Sequence, residues 1–424
     1  MQQELIRVFM FNDLISSLLD VFFIKIFNIP LIVYFFFFFG IFYTLVYRAK
    51  YLKDSFKFFK YLKDLNDENI SGFGLLVSCV GTVVGIGNIL GGAISVQKCG
   101  AGVLFWVWVV CLVCVSLKFR ESYFSVLYAQ KHKLKGCNVA FFYIKDRFKH
   151  SKYIAFFYIF CFSFAYFVNG LVQATQSIHA FEISNQDVSM AVSFGFVVLV
   201  YLILNQGLSL IVKIMKFFVP FAFVMYCGVA IISISNSSKT IEFIFSQIIS
   251  EAFNPKSVSV GLVIGYVIQR LCFAVDLGTG LSGTILSSSN KDPYKQAVVE
   301  IFEVVFVCVV FTLTGLLVLS SESDLSMYSG INIVKMSISN QWLRYMAGIS
   351  IFIFGFTTIF SCGYLSQSGL KSINFNKMKL FNFFYALMLG ASYFIGLSGV
   401  LNLLDLMLIL TSVINIVFLF LYRI

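Results

Sequence analysis

Gly81-Thr82-Val83-Val84-Gly85-Ile86-Gly87-Asn88-Ile89-Leu90-Gly91 lies within one long apolar stretch, and Phe273-Ala274-Val275-Asp276-Leu277-Gly278-Thr279-Gly280-Leu281-Ser282-Gly283 lies within another far down the chain. Each puts paired glycines and a polar or acidic residue in mid-stretch. Glycine costs a helix interior about 1 kcal/mol relative to alanine, so paired glycines mark places where a helix unwinds. Freed amides and a half-helix N-terminus suit a carboxylate, and freed carbonyls suit a small cation. Two other readings bear on these glycines. Gly87 and Gly91 form a GxxxG that close helix packing alone could use. Gly278, Gly280 and Gly283 also spell GxGxxG, but that fingerprint needs a preceding strand and a βαβ unit, which an apolar span excludes.

Working outward, the composition says what surrounds the two stretches. Of 424 residues 59% are apolar and 12% charged, against roughly 25% charged in a soluble domain. Folding in water cannot hide that much apolar surface. It is enough for about eleven segments of the roughly 20 residues that cross a bilayer. Disorder, a secreted disulfide scaffold and a soluble enzyme are excluded, and the expected class is an all-α polytopic membrane protein. Apolar segments fall at 27–47, 71–96, 101–128, 153–180, 189–205, 209–234, 258–288, 295–319, 342–369, 379–398 and 402–421. Residues 1–26 read as an interfacial amphipathic helix, with Leu5, Ile6, Phe9, Leu14, Ile15, Leu18 and Leu19 on one face.

The net charge of +11 reflects loop lysines and arginines that set orientation, not nucleic acid. Under strict alternation one side holds 21 basic residues and the other seven. That places the N-terminus outside and the C-terminus in the cytoplasm, in the cell's inner (plasma) membrane. The ten cysteines, including the Cys111-x-x-Cys114 pair, lie mostly in apolar stretches and read as buried, reduced thiols. After one extra helix over 27–47, residues 71–235 and 258–421 each hold five spans, and an odd number gives the two blocks opposite topology. This is the five-plus-five inverted-repeat plan of many secondary transporters, whose broken helices hold the substrate near the midplane.

Asp276 is the most informative single residue. An ionisable group at mid-span is costly and faces a cavity or a partner. It could coordinate a cation, pair with a substrate ammonium, or form a structural pair with Arg270. Glu121, Glu300 and Glu303 sit nearer the ends of their segments, where interfacial anchoring or ion pairing is expected.

Gly85-Ile86-Gly87-Asn88-Ile89, followed by Gly100-Ala101-Gly102-Val103-Leu104-Phe105-Trp106-Val107-Trp108, resembles the GTGNIAG and GGPGAVFWMW motifs of the alanine/glycine:cation symporter family. Lys118 to Ser122, Val172 to Thr175, Gln269 to Gly278 and Phe356-Thr357-Thr358 are similar to further motifs of that family, in the same order. The broken helices also resemble those of the wider leucine-transporter (LeuT) fold. The resemblance implies sodium-coupled uptake of alanine, glycine or a similar small amino acid by alternating access, with no cofactor beyond the coupling ion. Gly85, Gly87 and Asn88 would line the carboxylate side of a substrate. Gln173 would hydrogen-bond it and Phe273 would cap it, with Ile86, Asp276, Gly278, Thr358 and Cys362 completing the pocket. A sodium site would use carbonyls of Gly81 and Val84 with the hydroxyls of Thr357 and Thr358. Oxygen ligands of this kind suit a hard cation, although the two threonines could equally serve helix packing.

The sequence departs from the family at several of these places. Ile86 replaces a threonine, Ala101 a proline and Thr175 an asparagine, and Ala274-Val275-Asp276 stands where Ser-Asn-Glu is usual. Cys362 stands where a larger pocket residue is usual. The changes bear on substrate choice, and without a hydroxyl at Ala274 a second sodium site near Asn88 is not expected. The alternative is a proton-coupled amino-acid or amine carrier of the same fold, working through Asp276. An intramembrane enzyme is disfavoured: there are three histidines, no HExxH and no GxSxG paired with a histidine. ATP drive is disfavoured by the lack of GxxxxGK[ST], and a channel by the two broken helices. The expected partners are the substrate, sodium and the lipid bilayer.

Overall fold

The computed structural model describes residues 25–26, 29–65, 71–179, 186–253, 263–267, 270, 274–287, 291–391 and 397–422. A bilayer offers no water to backbone amides, so an apolar run must satisfy them within itself, and it does so as helix. In chain order the helices are α1 (Leu31–Val46), α2 (Lys50–Asp54), α3 (Phe58–Asp64), α4 (Gly72–Val83), α5 (Ile86–Cys99), α6 (Val103–Lys131), α7 (Val139–Arg147), α8 (Ser151–His179) and α9 (Gln186–Gln206). They continue as α10 (Leu208–Ser235), α11 (Ile241–Phe253), α12 (Leu281–Leu286), α13 (Pro293–Glu300), α14 (Phe302–Ser320), α15 (Ile331–Met336), α16 (Gln341–Ser372), α17 (Met378–Ala391) and α18 (Leu397–Leu421). The strand structure among the described residues is one antiparallel pairing of Lys25–Ile26 with Ile29–Pro30.

Among the described residues, six helices are long and apolar enough to cross a membrane, one of them α13 and α14 taken together (Pro293–Ser320), and eight do if two bent pairs each count as one span. The pairs are Leu31–Val46 with Lys50–Asp64, bent by 73°, and α4 with α5, bent by 48°. The expected count of eleven is not settled by this. The segment at 189–205 is the helix α9, the one at 379–398 is α17 up to Ala391 with 392–396 outside the described residues, and segment 258–288 lies partly outside the described residues. The interfacial helix expected over 1–26 lies outside them up to residue 24. Residues 50–64, expected as a basic loop, are helical in α2 and α3, with Phe56 and Phe59 projecting almost fully exposed between lysines.

Local chemistry sets the helix ends. Ser71, Asn138, Asp292 and Asn340 cap α4, α7, α13 and α16 by accepting first-turn amide hydrogens. Gly207 (φ +79°) supplies the left-handed turn between α9 and α10. The core is built around α16, which packs along α8 and against α10, with α18 on the other side of α8. Phe38, Leu45, Leu112, Phe160, Phe217 and Val224 are each more than half exposed on the outer surface, which lipid tolerates and water would not. Apart from the short strand pairing, the regular structure of the described residues is helical, and the chain is an α-helical, multi-pass membrane protein.

Candidate functional site

The first break lies between α4 and α5. Val84 (φ −77°, ψ 75°) leaves the helix and Gly85 is extended (φ −103°, ψ −172°). The backbone groups this frees are taken up by side chains, as buried groups must be. The Ile86 amide donates to Gln173 Oε1 on α8 at 3.1 Å. The Gly81 carbonyl accepts from Thr358 Oγ1 on α16 at 3.0 Å, and the Val83 carbonyl accepts from Asn88 Nδ2 at 2.7 Å. Gly85 is confined by these contacts: a Cβ there would come within 3.0 Å of the Gln173 amide and the Thr358 hydroxyl.

The second break, over residues 275–280, is tighter. Asp276 (φ +46°), Gly278 (φ +73°) and Gly280 (φ +88°) all take left-handed backbone angles. Glu121 on α6 accepts the Gly278 amide at 3.0 Å and the Gly280 amide at 2.7 Å, one on each carboxylate oxygen. The Gly278 carbonyl accepts from Asn415 Nδ2 at 2.7 Å, and the Thr279 carbonyl from the Tyr158 hydroxyl at 2.7 Å. Lys118 Nζ reaches the Val275 carbonyl at 3.4 Å. Glu121 is therefore not an interfacial anchor. It is completely buried and holds the unwound segment open.

Between the breaks lies a cavity of about 100 Å³, lined by Thr82, Val83, Gly87 and Asn88 from the first, Ala274 and Asp276 from the second, and Asn169, Val172 and Gln173 from α8. Arg270, Leu404, Asp405 and Leu408 complete its wall. Gln173 uses both ends of its amide, accepting from Ile86 and donating to Asn169 Oδ1 at 3.3 Å. Arg270 and Asp405 attract each other across the wall, and Arg270 also stacks over the Tyr266 ring at 5.3 Å.

Of the residues singled out in the sequence, Gly87, Asn88, Gln173 and Asp276 line this cavity, and Gly85, Ile86, Gly81, Val84 and Thr358 gather at the first break beside it. Three lie elsewhere. Gly278 turns its amide and carbonyl to Glu121 and Asn415. Thr357 spends its hydroxyl on the Ile353 and Phe354 carbonyls of its own helix, both at 3.0 Å. Cys362 is fully buried, close enough to Asp276 to feel its charge but not part of the lining. Phe273 lies outside the described residues. Asp405 and Asn169 were not singled out, yet Asp405 is a lone acid within the last apolar run, the same signal that drew notice to Asp276.

Two broken helices facing each other across a small polar cavity inside a helical membrane bundle define a secondary transporter rather than an enzyme. The sequence matches the sodium:alanine symporter family over residues 11–423, and the chain belongs to that family. Among its relatives is "Probable sodium/glutamine symporter GlnT" of Bacillus subtilis, 24% identical, covering 81% of this chain and 74% of the relative. Another is "Sodium/alanine symporter AgcS" of Methanococcus maripaludis, 25% identical, covering 63% of each. Among solved structures, MhsT in complex with L-phenylalanine superposes with a TM-score of 0.57 at 14% identity, covering 81% of this chain and 87% of that one. The likeness shows the fold alone, which is that of the LeuT-type transporters.

Proposed function

We propose that the chain carries a small zwitterionic amino acid, alanine or glycine by preference, into the cell together with sodium. The observation that carries this reading is the cavity running from the first turn of α5 to Asp276. Its two ends are chemically opposite. The N-terminus of α5 offers the positive end of a helix dipole to a carboxylate, while Asp276 offers a negative charge to an ammonium. The cavity is small, about 100 Å³, which favours a short side chain. Thr358 Oγ1 and the Gly81 carbonyl, 3.0 Å apart, are two hard oxygens at the unwound point, as a sodium site needs; the Val84 carbonyl would join them.

The five-plus-five division over 71–235 and 258–421, with the N-terminus outside and the C-terminus cytoplasmic, completes the reading, since it sets the two breaks in opposed repeats. Labelled alanine uptake into proteoliposomes under a sodium gradient, a proton gradient or neither tests it. Uptake that requires sodium is expected. Uptake driven by protons alone would replace sodium with a proton, and no uptake of alanine or glycine under any gradient would reject the substrate.

A further inference from the structure

Beyond the residues that line the cavity, α4, α6, α13 and α14 enclose a second group of ionisable side chains. Cys79, Lys118, Glu121, Glu300 and Glu303 are all completely buried. The substrate reading leaves this group unused.

Its hydrogen bonds can be counted. Lys118 Nζ pairs with Glu303 Oε1 at 2.7 Å, and both oxygens of Glu121 hold the amides of the second break. Three carboxylate oxygens remain, Glu303 Oε2 and both of Glu300, each shut off from solvent and with no hydrogen-bond donor among the described residues. The charges that face them are Cys79 from α4, Lys118 and Glu121 from α6, and Asp276 from the second break. The pairs on the outer side of α13, Tyr294 with Asp54 and Lys295 with Asp64, turn toward α2 and α3. Lys118 thus neutralises one of the two glutamates and leaves the other bare. A bare carboxylate in an apolar interior is far more costly than a neutral one.

A ligand atom from each of Cys79, Glu300 and Glu303 lies within 4.8 Å of the others. A hard divalent cation takes six or more oxygens, and only three are left here. A proton needs two. We propose that Glu300 and Glu303 hold one proton between them, so that Glu300 donates to Glu303 Oε2 while the Cys79 thiol donates to the other Glu300 oxygen. The proton comes from water and returns to it; nothing else is exchanged. This arrangement satisfies all three orphaned oxygens and brings the glutamate pair with Lys118 to zero net charge. The site also touches both broken helices. Cys79 lies on α4, and Lys118 reaches the Val275 carbonyl at the second break. A movement that opens either break disturbs the Lys118–Glu303 pair and with it the hold on the proton. That link to transport rests on the function proposed above, whereas the proton itself does not.

Infrared spectroscopy of the purified full chain at neutral pH tests it. The C=O stretch of a buried protonated carboxyl, recognised by its shift in heavy water, is expected in the wild type and in Asp276→Asn. It is expected to be lost in Glu300→Gln and in Glu303→Gln, where the new amide supplies the donor. A wild type without the band overturns the proposal, as does a band that survives both glutamine variants or vanishes in Asp276→Asn. Should the glutamine variants not fold, Cys79→Ser changes the donor at Glu300 with little change in size. The band should then shift, and an unshifted band overturns the proposal. The band is read without transport, so it decides the proton site even if alanine is not carried.

Discussion

Gln173 accepts the Ile86 amide at 3.1 Å, joining α8 to the first residue after the unwound point of the first broken helix. The same side chain donates to Asn169 at the cavity wall, so the break and the cavity share one amide group. Gln173→Ala leaves the Ile86 amide without its acceptor, a loss of about 1–3 kcal/mol for a buried donor. We expect a lower unfolding temperature together with at least a tenfold loss of alanine uptake. Normal uptake from a destabilised variant would mean that Gln173 only pins the helix.

The paired threonines on α16 separate cleanly. Thr358 shares its hydroxyl between the Phe354 carbonyl of its own helix, at 2.8 Å, and the Gly81 carbonyl at the break, at 3.0 Å, whereas both bonds of Thr357 stay within its own helix. Thr358→Val keeps the shape and removes the oxygen, and it should raise the sodium concentration for half-maximal uptake tenfold or more. Thr357→Val should change it less than twofold. Equal effects of the two substitutions would place the ion elsewhere.

That distinction shows where the sequence stops being readable. Neighbouring positions on a helix point about 100° apart, and a Thr-Thr pair does not say which member faces the break. The breaks themselves were legible, because two glycines inside a span-length apolar run have few other uses. Asp276 was legible for the energetic reason that a mid-span acid must have a purpose. Glu121 was not: three residues from Lys118 on the same helix, it reads as part of an ion pair. Its partners are the amides of Gly278 and Gly280, 157 and 159 residues away, which no local pattern encodes. Arg270 was offered to Asp276 as a partner on the same segment, but the acid that attracts it is Asp405 on α18.

Glu121→Gln tests that role. The carboxylate accepts two amides at once, one on each oxygen. A glutamine accepts with only one oxygen and sets its own N–H₂ against the second amide, so at least one buried donor goes unmatched, at about 1–3 kcal/mol. The expected outcome is a lower unfolding temperature for the purified protein, with loss of uptake following from the disordered break. An unchanged unfolding temperature would show that the clamp contributes nothing to stability.

Asp276→Asn distinguishes chemistry from architecture. Asp276 holds φ at +46°, a region that asparagine enters more readily than most residues. The substitution therefore keeps the backbone and the size while removing the charge that would face a substrate ammonium. Wild-type thermal stability with alanine uptake reduced at least a hundredfold is expected. Lost stability with residual uptake would make the carboxylate structural.

The two glycines at the first break predict opposite outcomes for one substitution. A Cβ on Gly85 would be pressed against Gln173 and Thr358 at 3.0 Å, whereas one on Gly87 would meet only Gln173 Nε2, at 3.9 Å, and would project into the cavity. Gly85→Ala should therefore disturb the hydrogen bonds that hold the break and lower the unfolding temperature. Gly87→Ala should fold normally and take its volume from the substrate. In competition uptake it should keep glycine transport and lose alanine transport at least tenfold. If Gly87→Ala carries alanine as well as the wild type does, the methyl of alanine lies elsewhere and the cavity at α5 is not where the substrate's side chain sits.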